Sequence, residues 1–176
     1  VFTPISIVEE MLSKSPVHVW SDHTLKWLDP AVGIGNFPIC VYLRLMEGLK
    51  GYKDSKIDLT NEEKRRKYIL EKMLYMVEIS KKSIMILSKV FCGDKYKLNI
   101  GKGTKVTISF LDDTYDLNDF DVIMANPPYN EGGVSKGGGV FWKGFVEKSL
   151  RILNENGYLV MIHPTGWRKP KGERAS

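Results

Sequence analysis

Apolar positions along this chain follow two rhythms that take turns, a helical period of three to four residues and short runs that are continuous or alternate. Ile5, Val8, Met11 and Leu12 share one helical face of residues 3–13, behind Thr3-Pro4, where threonine can cap and proline fits the first turn. A short amphipathic helix is predicted there. Residues 24–31 read as a strand ending in Asp29-Pro30, followed by a glycine turn and an apolar helix over 37–46. Residues 48–72 are polar and read as an insertion, after which residues 73–79 are apolar enough for a buried strand. Ile84, Leu87 and Phe91 recur at helical spacing over 81–91, residues 105–111 alternate as a strand, and 121–125 form another. A glycine-rich loop spans Gly132 to Gly139, an amphipathic helix covers 141–153 and is ended by Asn156-Gly157, and residues 158–162 form a last strand. Repeated strand–helix units of this kind predict an α/β fold, a doubly wound and mainly parallel sheet covered by helices, with ligands at the carboxyl ends of its strands.

Length and composition narrow the picture without naming a partner. A chain of 176 residues with 43% hydrophobic content suffices for one packed domain. The 26 basic against 21 acidic residues, a net charge of +5, permit a polyanionic partner but do not demonstrate one. Asn61 to Lys67 mixes both signs at helical spacing and reads as a solvated face. Cys40 and Cys92 belong to no metal-ligand or CxxC spacing, so no metal site is expected and both read as buried, reduced thiols of a cytoplasmic protein. No stretch reaches the roughly 20 apolar residues that cross a bilayer, and no secretory leader opens the chain. It starts at Val1 and stops in the polar Lys169-Pro170-Lys171-Gly172-Glu173-Arg174-Ala175-Ser176, which reads as a cut within a larger parent protein.

Two segments carry candidate chemistry. Asp29-Pro30-Ala31-Val32-Gly33-Ile34-Gly35-Asn36-Phe37 joins a predicted strand to a predicted helix, where glycines let the backbone approach a ligand. It lacks the GxGxxG spacing of a dinucleotide fingerprint and the Lys-Ser/Thr pair of a phosphate-cradling loop. Asp29 would repel phosphates and suits a ligand with a cationic or neutral polar end. Glu78, at the end of the next strand, stands where an acid accepts from the two hydroxyls of a ribose. Its distance from Gly35 exceeds the usual interval of about 20 residues, which requires residues 48–72 to be inserted.

The second segment is Asn126-Pro127-Pro128-Tyr129, directly after the apolar run 121–125. Two prolines have fixed φ and no N–H, so this turn continues neither sheet nor helix and its carbonyls are left to accept. An amide, a carbonyl and an aromatic ring together suit an exocyclic amino group on a planar base, with two acceptors for its N–H bonds and a ring against its face. At ordinary residue frequencies such a tetrapeptide arises in a chain of this length roughly once in a thousand.

Thr3-Pro4 with Val8 and Met11, the Asp29 to Phe37 loop, Glu78-Ile79 and Asn126 to Tyr129, in this order over nearly the whole chain, resemble the S-adenosylmethionine-dependent adenine-N6 DNA methyltransferases. The resemblance implies that Asp29, Gly33 and Gly35 line the methionine part of S-adenosylmethionine, that Glu78 holds its ribose, that Ile79 covers its adenine and that Thr3 and Pro4 close over the methionine end. It implies that Asn126 and Pro127 accept from the target amino group and that Tyr129 stacks on a flipped adenine. Relatives carry an acid before a Phe-Leu pair at the cofactor edge, where this chain has Ser109 before Phe110-Leu111, and Asp112 or Asp113 would take over that contact. The Glu131 to Gly139 loop, with Lys136 near a phosphate, reads either as a segment admitting a flipped nucleotide or as a linker. The implied protein is a partial catalytic core of a restriction-modification or viral enzyme, without its DNA-sequence-reading domain. RNA adenine and protein glutamine methyltransferases share the Asn-Pro-Pro-Tyr turn and are the alternative enzymes, although the Thr3-Pro4 helix and Asp29-Pro30-Ala31 favour DNA. A nucleic-acid-binding module with a vestigial pocket is the alternative of a different class.

Overall fold

The computed structural model describes residues 3–100, 110–111, 118–128 and 141–164. Its elements run α1 (Ile5–Leu12), β1 (Trp27–Asp29), α2 (Asn36–Gly48), α3 (Glu62–Tyr68), β2 (Leu74–Met76), α4 (Lys81–Val90), β3 (Asn99–Ile100), β4 (Phe120–Ala125), α5 (Phe141–Ile152) and β5 (Leu153–Met161). The strands form one sheet in the order β3-β2-β1-β4-β5, with every pairing parallel. Strand alternation sends neighbouring side chains to opposite faces, and both faces are buried. Trp27, Leu74, Met76, Val122 and Met124 enter one apolar cluster with Val8, Leu12, Phe37, Val41, Leu45 and Leu87 from α1, α2 and α4. Leu28, Val77 and Ile123 enter a second with Phe145 and Ile152 from α5. Helices therefore cover both faces, and the doubly wound parallel sheet predicted from the pattern is the fold observed. The order reverses between β1 and β4, which makes the carboxyl edge between them the topological switch point, the place where open α/β sheets generally take their ligands.

Several local expectations change. Thr3 does not cap α1: the cap position is Pro4, with no side-chain bond, and Ile5 is half exposed while Val8 and Leu12 carry the buried face. The first strand begins only at Trp27, because the Asp22 carboxylate accepts from the Thr24 N–H and hydroxyl and holds that stretch in a turn. Ile69–Met73 is a π-helical turn, so β2 is confined to three residues. β3 was not anticipated. Of residues 105–111, Phe110 and Leu111 lie in a turn and the rest lie outside the described residues, as does the Gly132 to Gly139 loop. Helix α5 ends at Ile152, not at Asn156-Gly157. That pair lies inside β5, where Asn156 has φ 65° and the ladder jumps from Phe120↔Leu153 to Val122↔Tyr158, so it serves a bulge. Cys40 is buried, but Cys92 is exposed at the turn after α4, where its own φ of 52° leads the chain out of the helix.

The polar stretch 48–72 packs onto the core in its second half. Asn61 caps α3 by accepting from the Lys64 N–H at 3.0 Å, and Leu59, Ile69 and Leu70 are buried in the larger cluster. Arg65 is buried as well, its guanidinium donating to the Leu59 carbonyl at 2.6 Å and the Thr60 carbonyl at 3.2 Å. Arg66 pairs with Glu62 one turn away, a surface contact worth at most about 0.5 kcal/mol. No helix among the described residues is long and apolar enough to cross a membrane.

The end of α2 abuts the 3₁₀ turn Val17–Trp20 so closely that a side-chain carbon on Gly48 would lie 2.1 Å from the Trp20 carbonyl oxygen. Backbone must move to admit it. Gly48→Ala is expected to cost about 1–3 kcal/mol, read as a lower urea midpoint at unchanged m-value.

Candidate functional site

The loop after β1 is stitched to the end of β2 by continuing the ladder past both strands. Val77 N–H donates to the Asp29 carbonyl at 2.9 Å and Val32 N–H to the Val77 carbonyl at 3.2 Å. The loop then enters α2 through Gly33 at φ 57° and Gly35 at φ 98°, left-handed conformations that side chains resist. Gly35 has a second constraint, since a side-chain carbon there would lie 2.6 Å from Leu87 Cδ2. Glycine thus brings the start of α2 down against α4.

Two acids stand at this edge. Asp29 is 1% exposed, and its Oδ1 accepts from the Ala31 N–H at 3.0 Å. Burial pushes its carboxyl up to about 8, the Ala31 N–H works against the rise and the charge of Glu78 adds to it. Glu78, 9% exposed, accepts three backbone donors: Ile79 N–H at 2.9 Å and Ser80 N–H at 2.7 Å on Oε1, and Gly33 N–H at 2.7 Å on Oε2. The carboxylate thereby ties the glycine loop to the turn that begins α4. Ile79, beside it, is 71% exposed and presents an apolar surface.

Across the switch point, β4 delivers Asn126 and the buried Pro127 to the same edge of the sheet. Asn126 Nδ2 donates to Thr3 Oγ1 at 2.9 Å, and Asn36 Nδ2 donates to the Thr3 carbonyl at 2.6 Å. Buried Thr3 therefore joins the turn after β4 to the first residue of α2, and its hydroxyl serves Asn126 instead of a helix cap. Pro4 is exposed, and its carbonyl accepts from the Ile7 and Val8 N–H groups of α1. Thr3, Asn36 and Asn126 form one hydrogen-bonded group, and Asp29, Gly33 and Glu78 form another around the glycine loop. Phe110 lies in the second core cluster, its ring 5.2 Å from Phe145 with Lys148 Nζ 5.3 Å from its centre. Tyr129 and Asp112 lie outside the described residues. The sequence reading assigned no role to Asn36, whose only local signal is its place directly after the second glycine of the loop. Among the described residues no group of three His, Cys, Asp or Glu side chains could hold a metal ion.

A family model described as Eco57I restriction-modification methylase matches residues 45–176. An uncharacterized adenine-specific methylase of Mycoplasma pneumoniae is 26% identical over 95% of this chain and 55% of its own length. A chain from Vibrio vulnificus YJ016, assigned as a modification subunit of a type I restriction enzyme, superposes with a TM-score of 0.59 at 19% identity, covering 94% of this chain and 34% of that one. One from Listeria monocytogenes, assigned as a class I S-adenosylmethionine-dependent methyltransferase, gives 0.61 at 17% identity over 97% and 48%. At such identities these structures speak for the fold. The chain spans about half the length of the curated relative and a third to a half of these solved chains.

Asp29 makes stability depend on pH in a direction opposite to that of most carboxylates. Its folded value of about 8 lies above the ordinary carboxylate value near 4, so the folded state binds this proton more tightly than the unfolded state. Its contribution is full below pH 4 and is lost as pH rises to about 8, with a limiting slope of about 1.4 kcal/mol per pH unit. Urea midpoints between pH 5 and 8 should therefore fall more steeply for the wild-type protein than for Asp29→Asn, whose side chain does not titrate.

Proposed function

The chain belongs to the Eco57I restriction-modification methylase family, and from that membership we propose that it forms the methyl-transferring core of an enzyme that uses S-adenosylmethionine to methylate the N6 amino group of adenine in DNA. One observation carries the reading. Thr3 bonds both Asn126, at the turn suited to an amino group, and Asn36, at the glycine loop suited to a cofactor, so the loops proposed for the two halves of the reaction are joined at the switch point of the sheet.

The residues fit this cofactor. Asp29 and Glu78 have no lysine or arginine bonded to either among the described residues, and a cationic ligand beside Asp29 would favour the ionised carboxylate that burial and the Glu78 charge oppose. The glycine loop leaves room for close backbone approach, and exposed Ile79 supplies an apolar face for a nucleobase. When bound, the cofactor supplies an electrophilic methyl group. Asp29, Gly33 and Gly35 would hold its amino-acid end under Thr3 and Pro4, Glu78 its ribose and Ile79 its adenine, with Asp112 contacting the adenine, whereas Phe110, closed into the second core cluster, would contribute by packing and not by an exposed face. Asn126 Oδ1 and the Pro127 carbonyl would accept the two N–H bonds of the target amino group and draw its lone pair out of conjugation with the ring, while Tyr129 stacks on the flipped base. Positioning and exclusion of water supply the acceleration, and no covalent enzyme intermediate is needed. Recognition of the DNA sequence falls to further domains of a longer parent chain, acting in the cytoplasm where DNA is accessible.

Calorimetric titration with S-adenosylmethionine, and separately with its demethylated product, tests the cofactor half. Saturable binding, weakened tenfold or more by Asp29→Ala, is the expected result, and a folded sample that binds neither ligand overturns the reading. The substrate half predicts that Asn126→Ala lowers methyl transfer to adenine in duplex DNA by about 10²–10³, with cofactor affinity changed less than about threefold. Equal losses in both would remove Asn126 from the amino-group site, and preference for RNA adenine or a glutamine peptide over DNA would replace the substrate.

A further inference from the structure

Resting on that reading, we propose that Thr3 is a positioning residue for methyl transfer, whose hydroxyl holds the Asn126 amide with its oxygen turned to the target amino group. The need for such a residue follows from the amide itself. The last torsion of an asparagine side chain has a broad, nearly two-fold preference, so its own backbone does not decide which end of the amide points forward. The two ends are chemical opposites, since Oδ1 accepts and Nδ2 carries two donors. An amino group conjugated with a base presents its N–H bonds, and an inverted amide would set donor against donor.

Nδ2 of Asn126 donates to Thr3 Oγ1 at 2.9 Å, which places Oδ1 at the other end of the planar amide. Thr3 is itself held from two sides. Its carbonyl accepts from Asn36 Nδ2 at 2.6 Å, at the first residue of α2. On its other side the chain continues through Pro4 into α1, which buries Val8 and Leu12 and is fastened to α2 where Arg44 Nη2 donates to the Glu9 carbonyl at 3.2 Å and Arg44 Nε to Glu9 Oε2 at 3.2 Å. Thr3 is 8% exposed, so water competes little for its hydroxyl. Helix α1 begins without a side-chain cap, and the hydroxyl that could supply one is committed to Asn126 instead.

The test is single-turnover methyl transfer to adenine in duplex DNA at saturating S-adenosylmethionine, with cofactor affinity measured alongside by calorimetry, for wild type, Thr3→Val and Thr3→Ser, and for Thr3→Val combined with Asn126→Ala. Thr3→Val exchanges the hydroxyl for a methyl group of similar size and is expected to lower the rate constant about tenfold, the upper worth of one neutral hydrogen bond, with cofactor affinity within about threefold of wild type. Thr3→Ser keeps the hydroxyl and should recover most of that loss. In the Asn126→Ala background Thr3→Val should cost nothing further, because a residue that acts through the amide has nothing to orient once the amide is gone. A parallel loss of cofactor affinity would make Thr3 a cofactor contact and overturn the inference. Equal losses in the valine and serine variants, an unchanged rate in the valine variant, or a valine effect that persists without the Asn126 amide would overturn it as well. Should Thr3→Val not fold, Thr3→Ala removes the same hydroxyl with less bulk and carries the same expectations. Wild-type protein that binds the cofactor yet transfers no methyl group to adenine overturns the substrate reading and this inference with it, whereas the preceding outcomes leave that reading standing.

Discussion

The seam between β1 and β4 is the constraint on which the rest of the molecule depends. These strands lie about 95 residues apart in sequence and pair parallel, so no local turn can set their register. The register is pinned from both ends. Where the strands begin, Asp121 Oδ2 accepts from the Lys26 N–H at 2.7 Å, while the Asp121 and Val122 N–H groups donate back to the Lys26 carbonyl. Where they end, Thr3 receives Asn126 and thereby connects the β4 turn to α2. A slip of one residue would turn Leu28 and Ile123 from one apolar cluster toward the other and pull Asn126 from Thr3 at the same time.

A second theme is how backbone amides are used to settle buried charge. Glu78 accepts from three amides drawn from two loops, so burying its carboxylate also fixes the relative positions of those loops. Asp29 has one amide and lies deeper, and its carboxyl is correspondingly pushed towards the protonated form. A related device recurs away from the site with the sign reversed, where Nη1 of buried Arg65 donates to the Leu59 and Thr60 carbonyls and fastens the polar stretch before α3. At the carboxyl edge of the sheet the arrangement places two acids, a backbone approachable through glycine and an exposed apolar residue at Ile79. A cofactor with a cationic end and a nucleoside end matches these features in one ligand.

Much of this was legible in the sequence, and the reason is physical. The continuous apolar run before Asn126 marks a strand buried on both faces, and β4 is buried so; the strand–glycine–helix rhythm around Asp29 marks a carboxyl-edge loop, and that loop lies there. Fold class and the membership of the two candidate loops follow from residue periodicity and backbone chemistry, which act over a few residues. Boundaries were less legible because short-range side-chain and backbone bonds, and in one case a strand pairing, overrode the apolar pattern. Asp22 delays β1, a π-helical turn shortens β2, and the Asn156-Gly157 pair that resembles a helix stop is used as a bulge against β4.

By itself, then, the sequence determined an alternating α/β chain, a glycine loop after an acidic strand end, and an amide–proline turn with acceptor character. The tertiary structure alone decided the partners of those groups. That Thr3 would serve Asn126 across 123 residues instead of capping its own helix, and that Glu78 would spend an acceptor on Gly33 across 45, both depend on which strands become neighbours. Periodicity reports what surrounds a segment but carries no address for the segment beside it. That address comes from burying both faces of the sheet at once, a condition only the whole chain can satisfy.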